Sequence, residues 1–219
     1  MKKKSPAISD LLKVMARLRS PNGCPWDREQ NHKSLRWHAV EEVYELIDAI
    51  ESGDDPEMVE ELGDLLLQVV FHCQLAKERN AFNFEKVARH ITDKLIRRHP
   101  HVFGKLKVKD VDEVWANWEK IKHAEKHGTR HARPSALDGI PKHLPALLRA
   151  EKLMKKARRA KLVGDHPRKD SLTRARLGEQ LFELATVAQS KGWSAEDVLH
   201  TEIRKRERGL RKREGSKSS

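Results

Sequence analysis

Two pairs of acidic residues have the spacing of metal ligands on helices. Glu42 and Glu45 are three residues apart in one predicted helix, and Glu61 and Asp64 are three apart in the next. Residues three apart lie on one face of a helix. The short segment between the helices is rich in turn residues, so an antiparallel hairpin is expected to bring the four carboxylates together. Carboxylates that converge beside apolar neighbours need a cation, and oxygen ligands suit Mg²⁺ by default, with Mn²⁺ possible.

A solvated helix face is the competing interpretation of each acidic pair. Charged residues make up 36% of the chain, and in such a chain a single Glu-x-x-Glu is usually exposed. Two features favour the metal site: both pairs flank one tight hairpin, and the second pair opens a helix with almost no polar face. Glu41 adds a further acid, which either supports the cluster or is simply exposed.

Cations and an aromatic side chain further along the chain are candidates for binding phosphates and a base. Lys94, Arg97 and Arg98 end a predicted helix and are suited to phosphate oxygens. The competing explanation is that cations are favoured by the dipole at a helix C-terminus. Trp118 and Lys122 are four apart, so a ring and an ammonium share one helical face; burial of the tryptophan in a core is the alternative.

The elements that must position these residues are predicted to be helices. Charge-rich, aromatic-poor chains built on Leu and Ala are typically helical, and aromatics make up only 5% here. Apolar spacing of three and four residues predicts eight helices, over residues 8–19, 35–51, 56–79, 83–98, 111–126, 145–161, 172–190 and 195–212.

The hairpin that carries the acids has clear start and stop signals. Val40, Val43, Ile47 and Ile50 form one apolar stripe along the first helix, at spacings of three and four residues. Gly53 is expected to end the first helix, Asp55 to cap the next and Pro56 to occupy its first helical position. Residues 65–71 of that next helix are apolar nearly all round, apart from Gln68, which predicts a central helix.

The net charge of +12 lies entirely in the second half of the chain. Residues 1–104 carry a net charge of −1 and residues 105–219 one of +13. A basic helix is a usual footprint of nucleic-acid binding. The alternative function is therefore a dimeric helical protein that binds nucleic acid through Arg204-Lys205-Arg206 and Arg211-Lys212-Arg213, although few aromatics interleave these positions.

The remaining sequence features narrow the class of protein. The longest apolar run is too short to cross a bilayer, and no signal-peptide pattern follows the basic start, so no membrane partner and a cytoplasmic location are expected. Cys24 and Cys73 form neither a disulfide framework nor a zinc site. A Gly-rich phosphate loop, a G-x-S-x-G motif and a His-Glu-x-x-His motif are all missing from the sequence.

Six ordered motifs together resemble the MazG family, over roughly residues 8–156. They are Asn22-Gly23-Cys24-Pro25-Trp26-Asp27-x-x-Gln30, Glu41-Glu42-Val43-Tyr44-Glu45, Glu61-Leu62-Gly63-Asp64-Leu65-Leu66, Arg97-Arg98-His99-Pro100-His101-Val102-Phe103, Trp118-x-x-x-Lys122 and Ser135-Ala136-Leu137-Asp138-x-Ile140-Pro141-x-x-Leu144-Pro145-Ala146-Leu147.

The resemblance implies an all-α, MazG-like helical bundle, a four-helix bundle completed by dimerisation, followed by a helical C-terminal region. It implies a homodimer that hydrolyses ribo- or deoxyribonucleoside triphosphates to the monophosphate and pyrophosphate. It further implies that the four carboxylates are Mg²⁺ ligands and that the substrate contacts fall on Lys94, Arg97, Trp118 and Lys122. Within such a mechanism, Glu42 is our candidate for the residue that orients the attacking water.

The C-terminal half departs from the two-domain members of this family. A weak internal repeat matches Leu62-Gly63-Asp64 with Leu177-Gly178-Glu179, but Arg176 stands where Glu61 would be. No Glu-x-x-Glu helix precedes it, because residues 157–173 are short and basic. We therefore expect a MazG-type catalytic domain at 1–104, a helical extension and linker at 105–156, and a degenerate, basic second repeat at 157–219 that binds no catalytic metal.

Overall fold

The protein is all-α, as the sequence predicts. The computed structural model describes residues 6–125, 128–129, 134–164 and 172–217, and this part of the chain contains helices and no strands. No helix within these ranges is both long and apolar enough to cross a membrane. The described helices are α1 (Ala7–Leu18), α2 (Pro25–Glu29), α3 (His38–Ser52), α4 (Asp55–Glu78), α5 (Phe84–Arg98), α6 (Pro100–Phe103), α7 (Val111–Ala124), α8 (Ala146–Arg159), α9 (Arg174–Ser190) and α10 (Ala195–Lys217).

The two shortest helices were not predicted from the sequence. Helices α2 and α6 each begin at a proline, which fixes the backbone angle of a first helical turn.

The chain divides into two compact units, Met1–Trp115 and Ala116–Ser219. The three-part domain division expected from the sequence stays a prediction.

The α3–α4 connection is tight because its residues suit both helix ends. Gly53 follows α3 in the left-handed region with φ of 72°, a conformation that costs glycine little. Asp54 caps α4, its side chain accepting a hydrogen bond from the Glu57 backbone N–H at 3.1 Å. The predictions of Asp55 as the cap and Pro56 as the first helical residue are each wrong by one: Asp55 is the first residue of α4 and Pro56 the second.

The core of the first unit forms where α1 crosses the second half of α4. Its buried side chains come from α1, from the segment before α3 and from α4, and they are Met15, Leu35, Val70, Phe71 and Leu75. The prediction of a central helix is confirmed for this half of α4. The first half is different, because Val59 and Leu62 are exposed in the single chain. That half is where Glu61 and Asp64 lie.

The apolar stripe predicted on α3 does not face a core within the single chain. Val43 and Ile47 are each 41% exposed and Ile50 is 55% exposed. Helix α3 instead turns a narrower stripe toward α4, with Ala39, Glu42 and Leu46 half-buried and Ala49 fully buried. Small side chains on this stripe allow the two helices to approach closely. The acid Glu42 therefore lies in the helix–helix contact, and the larger apolar stripe is left uncovered.

Arg19, at the end of α1, ties the first unit together. Its guanidinium makes two hydrogen bonds of 2.7 Å to the carboxylate of Glu78 at the end of α4 and also donates to the backbone oxygen of Asp27. It lies 5.5 Å from the centre of the Phe71 ring. A bidentate arginine–carboxylate pair of this kind has strict geometry. It fixes the loop before α3 against the central helix.

The Arg19–Glu78 pair predicts a loss of stability in acid. The hydrogen bond from Arg19 holds the pKa of the Glu78 carboxyl below its usual value of 4.5. A depressed folded-state pKa contributes stability that is present above the unfolded value and is lost as the pH falls through the folded value. The contribution is about 1 kcal/mol at most, because Glu78 is partly solvated. We expect Glu78→Gln to lower the midpoint of urea unfolding at pH 7. The difference in midpoint between the variant and the unsubstituted protein should become smaller below about pH 4.

The second unit is built on α10. Helix α8 packs against α10, and both cover the segment that precedes α8. The Glu214 carboxylate accepts hydrogen bonds from the Ser135 hydroxyl and the Ala136 backbone N–H, and Arg211 donates to Asp138 at 2.8 Å. These contacts give the Ser135–Leu147 motif a structural role within this unit. The buried residues of its core are Leu137, Ala146, Leu153, Ala157, Leu162, Ile203 and Leu210.

Candidate cation site

The α3–α4 hairpin brings three of the four predicted acids together. One carboxylate oxygen from each of Glu42, Glu45 and Glu61 lies within 4.8 Å of the others. Glu42 and Glu61 are half-buried and Glu45 is exposed, so the cluster opens to solvent on one side. Among the described residues, this is the only group of three or more acids, histidines or cysteines whose ligand atoms lie so close together. Asp64 stands outside this group, one turn beyond Glu61 on α4.

The electrostatics of the cluster are those of crowded negative charge. Loss of surrounding water, followed by the charges of Glu42 and Glu41 and a hydrogen bond with the Glu42 carboxyl, raises the pKa of Glu45 above 4.5. Loss of water, then the charges of Glu45 and Asp64, raises the pKa of Glu61 in the same direction. The charge of Asp64 contributes to the raised pKa of both Glu45 and Glu61. Glu45 and Glu61 therefore resist ionisation, as expected where a counter-charge is needed.

Sequence reasoning missed one residue of the cluster, Gln68. It is only 7% exposed, and its side-chain amide donates a hydrogen bond of 3.2 Å to the Glu42 carboxylate. Gln68 lies seven residues after Glu61, two helical turns along the same face of α4. The signal in the sequence is a single amide inside the apolar run 65–71.

The predicted phosphate ligands lie on α5, which packs against α4. Lys94 is half-buried and Arg97 is exposed, three residues apart near the end of the helix. Arg98, predicted in the same basic cluster, is 8% exposed and buried in the unit. Of the three predicted cations, Arg98 is therefore buried, whereas Lys94 and Arg97 are accessible to a ligand. Pro100 follows α5 and begins α6, so the helix ends where the proline predicts.

Trp118 and Lys122 form a pair on α7, in the second unit. The Lys122 ammonium lies 4.4 Å from the centre of the Trp118 ring, a cation–π contact, and 3.2 Å from the Glu119 carboxylate. Both Trp118 and Lys122 are half-buried. The shared helical face expected from their spacing is confirmed, and their role in binding substrate stays a prediction.

The weak internal match to the α4 motif keeps one of its two acids, at Glu179. Arg176 and Glu179 lie in the first turns of α9, at the positions that match Glu61 and Asp64. Helix α9 packs against α10. Residues 165–171, part of the segment expected to lack an acidic helix, lie outside the described residues. That this repeat binds no catalytic metal stays a prediction.

Comparison with known proteins gives the family. Residues 30–103 match the family described as the MazG nucleotide pyrophosphohydrolase domain. The chain is 49% identical over 150 residues to the nucleoside triphosphate pyrophosphohydrolase of Escherichia coli, covering 68% of this chain and 56% of that protein. It is 40% identical over 194 residues to an uncharacterised 26.1 kDa protein of Streptomyces cacaoi, covering 88% of this chain and 76% of that protein.

A solved structure is also similar. A mazG-related protein from Thermotoga maritima matches with a TM-score of 0.45 and 24% identity, over 52% of this chain and 97% of that one. The chain spans about half the length of the E. coli relative that it matches.

Fold and site together define an all-α protein whose acidic cluster lies across a helical hairpin. The family match covers residues 30–103. This range contains α3, α4, α5 and all four predicted acids. The chain belongs to the MazG family.

Proposed function

We propose that this protein is a Mg²⁺-dependent nucleoside triphosphate pyrophosphohydrolase, which converts ribo- or deoxyribonucleoside triphosphates to the monophosphate and pyrophosphate. The observation that carries the proposal is the group of three carboxylates with oxygens within 4.8 Å of one another. The name of the E. coli relative supports the reaction, and the family match over residues 30–103 includes this group.

The donor set of the cluster suits a small, hard cation. Three carboxylates, with Asp64 nearby, offer only oxygen ligands, which are the ligands of Mg²⁺ and Mn²⁺. The raised pKa values of Glu45 and Glu61 support the same assignment, because a bound cation would offset their mutual repulsion. In this proposal Glu42, Glu45, Glu61 and Asp64 hold the ion.

The chain's own residues would then divide the work of hydrolysis. When bound, Mg²⁺ supplies charge neutralisation for the triphosphate oxygens. Glu42 orients the attacking water and accepts its proton, while Lys94 and Arg97 bind the phosphates and stabilise the charge on the departing pyrophosphate. Trp118 would stack on the base and Lys122 would contact a phosphate, as in the family's pattern. Positioning and electrostatics supply most of the catalysis in phosphoryl transfer.

We further propose that the protein is a homodimer in which a second copy covers the exposed stripe of α3. Val40, Val43, Ile47 and Ile50 are all at least 40% exposed in the single chain, although their spacing is that of a core-facing stripe. Contiguous apolar surface of this kind marks interaction sites. In the first half of α4, Leu62 and Leu66 are exposed as well, at 50% and 39%. Two α3–α4 hairpins packed on each other would make a four-helix bundle.

Nucleic-acid binding through the basic half remains the alternative, and the structure offers it little support. Of the cations on α10, Arg206 pairs with Glu202 at 2.8 Å, and Arg211 pairs with Glu207 and Asp138. These pairs neutralise part of each of the two basic triplets. Salt-dependent binding to duplex DNA without hydrolysis of any nucleotide would favour the alternative.

Removal of the metal tests the proposed cofactor. We expect EDTA to stop pyrophosphate release and excess Mg²⁺ or Mn²⁺ to restore it. We also expect Mg²⁺ alone to raise the thermal unfolding midpoint, because an ion that binds only the folded protein stabilises it. Matched Na⁺ at equal ionic strength is the control. A midpoint that responds equally to both salts, with release that persists in EDTA, would contradict the metal assignment.

A further inference from the structure

Gln68 is a buried amide at the inner end of the acidic cluster. It is 7% exposed and lies in the run 65–71, where the other residues are apolar. A glutamine at such a position lowers stability unless its polar atoms are satisfied. Its packing volume alone does not account for it, because methionine or leucine would fill similar space without a polar cost.

The contacts of Gln68 are one-sided. Its Nε2 donates to Glu42 Oε1 at 3.2 Å, while its Oε1 is buried and meets no donor among the described residues. The negative charge of Glu42 fixes this orientation of the amide, because a carbonyl oxygen facing a carboxylate would be repelled. The amide thus leaves its own oxygen unsatisfied in order to keep the hydrogen bond to the acid.

We propose that Gln68 is a positioning residue that holds the Glu42 carboxylate in the orientation needed to bind the divalent cation. This inference rests on the proposed function, in which Glu42 is a ligand. Ala39 and Leu46, which lie on the same stripe of α3 as Glu42, have no hydrogen-bond donor in their side chains. The amide donor to the Glu42 carboxylate therefore comes from α4. A neutral donor suits this role because lysine or arginine at position 68 would add a positive charge that competes with the cation. Partners that orient a ligating carboxylate commonly change metal affinity by a factor of about 10 or more.

A positioning role and a purely structural role predict opposite effects on stability. Replacing Gln68 by methionine removes the donor and also removes the unsatisfied oxygen at similar length. A structural role, in which the Gln68–Glu42 hydrogen bond holds α3 against α4, predicts a lower unfolding midpoint and unchanged metal binding. The positioning role predicts a midpoint that is unchanged or raised, together with weaker metal binding, because Glu42 is then free to rotate.

Mn²⁺ binding without nucleotide tests the inference, measured by electron paramagnetic resonance on the full chain. We expect Gln68→Met to raise the Kd for Mn²⁺ about 10-fold and the Mg²⁺ concentration for half-maximal pyrophosphate release by a similar factor. Gln74→Met is the matched control, because Gln74 is on the same helix and donates to the Glu78 carboxylate at 3.0 Å, away from the cluster. The control should leave both values unchanged.

Each outcome decides between the two roles. Gln68→Leu serves as the second variant if the methionine variant does not fold. An unchanged Mn²⁺ affinity in a folded variant would overturn the positioning role, whatever the unfolding midpoint, and leave the proposed function intact. Absence of Mn²⁺ binding by the unsubstituted protein would contradict the proposed function itself, and this inference with it.

Discussion

Glu61→Ala is expected to abolish pyrophosphate release while leaving the protein folded. Glu61 supplies one of the three clustered carboxylates, so its loss should remove the bound cation together with its charge stabilisation. That stabilisation is worth several kcal/mol, which corresponds to a fall in kcat/KM of about 10³-fold. The raised pKa of Glu61 shows that its ionised form is disfavoured in the fold. Removing it should therefore leave the thermal midpoint unchanged or higher, as circular dichroism would measure.

Two controls separate the role of Glu61 from a general effect of charge. Glu60→Ala removes an adjacent, exposed acid from the same helix and should retain turnover. Glu179→Ala removes the acid that matches Asp64 in the second repeat, and should also retain it. Turnover near that of the unsubstituted protein in Glu61→Ala would refute the carboxylate site, whatever the stability of the variant.

Ile47→Asp is expected to convert the proposed homodimer into monomers. Ile47 lies in the middle of the exposed α3 stripe, 41% exposed in the single chain. In a symmetric dimer the substitution places two unpaired charges in the apolar interface. The cost is several kcal/mol, which raises the dimer dissociation constant by about 10³-fold or more. Multi-angle light scattering coupled to gel filtration would show the mass of one chain, 25.3 kDa, in place of two.

Val14→Asp provides the comparison for Ile47→Asp. Val14 is an exposed apolar residue of the first unit, on α1 and outside the α3 stripe. The same change of charge there should leave the dimer intact. A single-chain mass for the unsubstituted protein, measured at micromolar concentration, would be the result incompatible with a bundle completed by dimerisation.

Local sequence signals predicted the helices and the acids well, because both depend on short-range spacing. All eight helices predicted from apolar periodicity are present, with ends displaced by a few residues. Three of the four acids converge as the hairpin geometry requires, since Gly53 and Asp54 leave little choice in how the chain turns. The short helices α2 and α6 escaped prediction because four or five residues do not establish a period.

What the sequence could not settle was which face of each helix is covered. The stripe of Val43 and Ile47 has the spacing of a core face, yet α3 packs on α4 through Ala39, Glu42 and Ala49. A periodic pattern identifies an apolar face but not the chain that covers it. Gln68 was missed for a related reason: its contact with Glu42 joins two helices, and residues 26 positions apart show no spacing signal.

The products formed from a nucleoside triphosphate test the central claim most directly. The purified chain would be incubated with Mg²⁺ and a panel of ribo- and deoxyribonucleoside triphosphates, and nucleoside mono- and diphosphate, pyrophosphate and phosphate would be quantified together. The acidic cluster and the family predict monophosphate and pyrophosphate in equal amounts, lost in EDTA and in Glu61→Ala. Diphosphate with inorganic phosphate, or no product from any nucleotide in the panel, would contradict the proposed function.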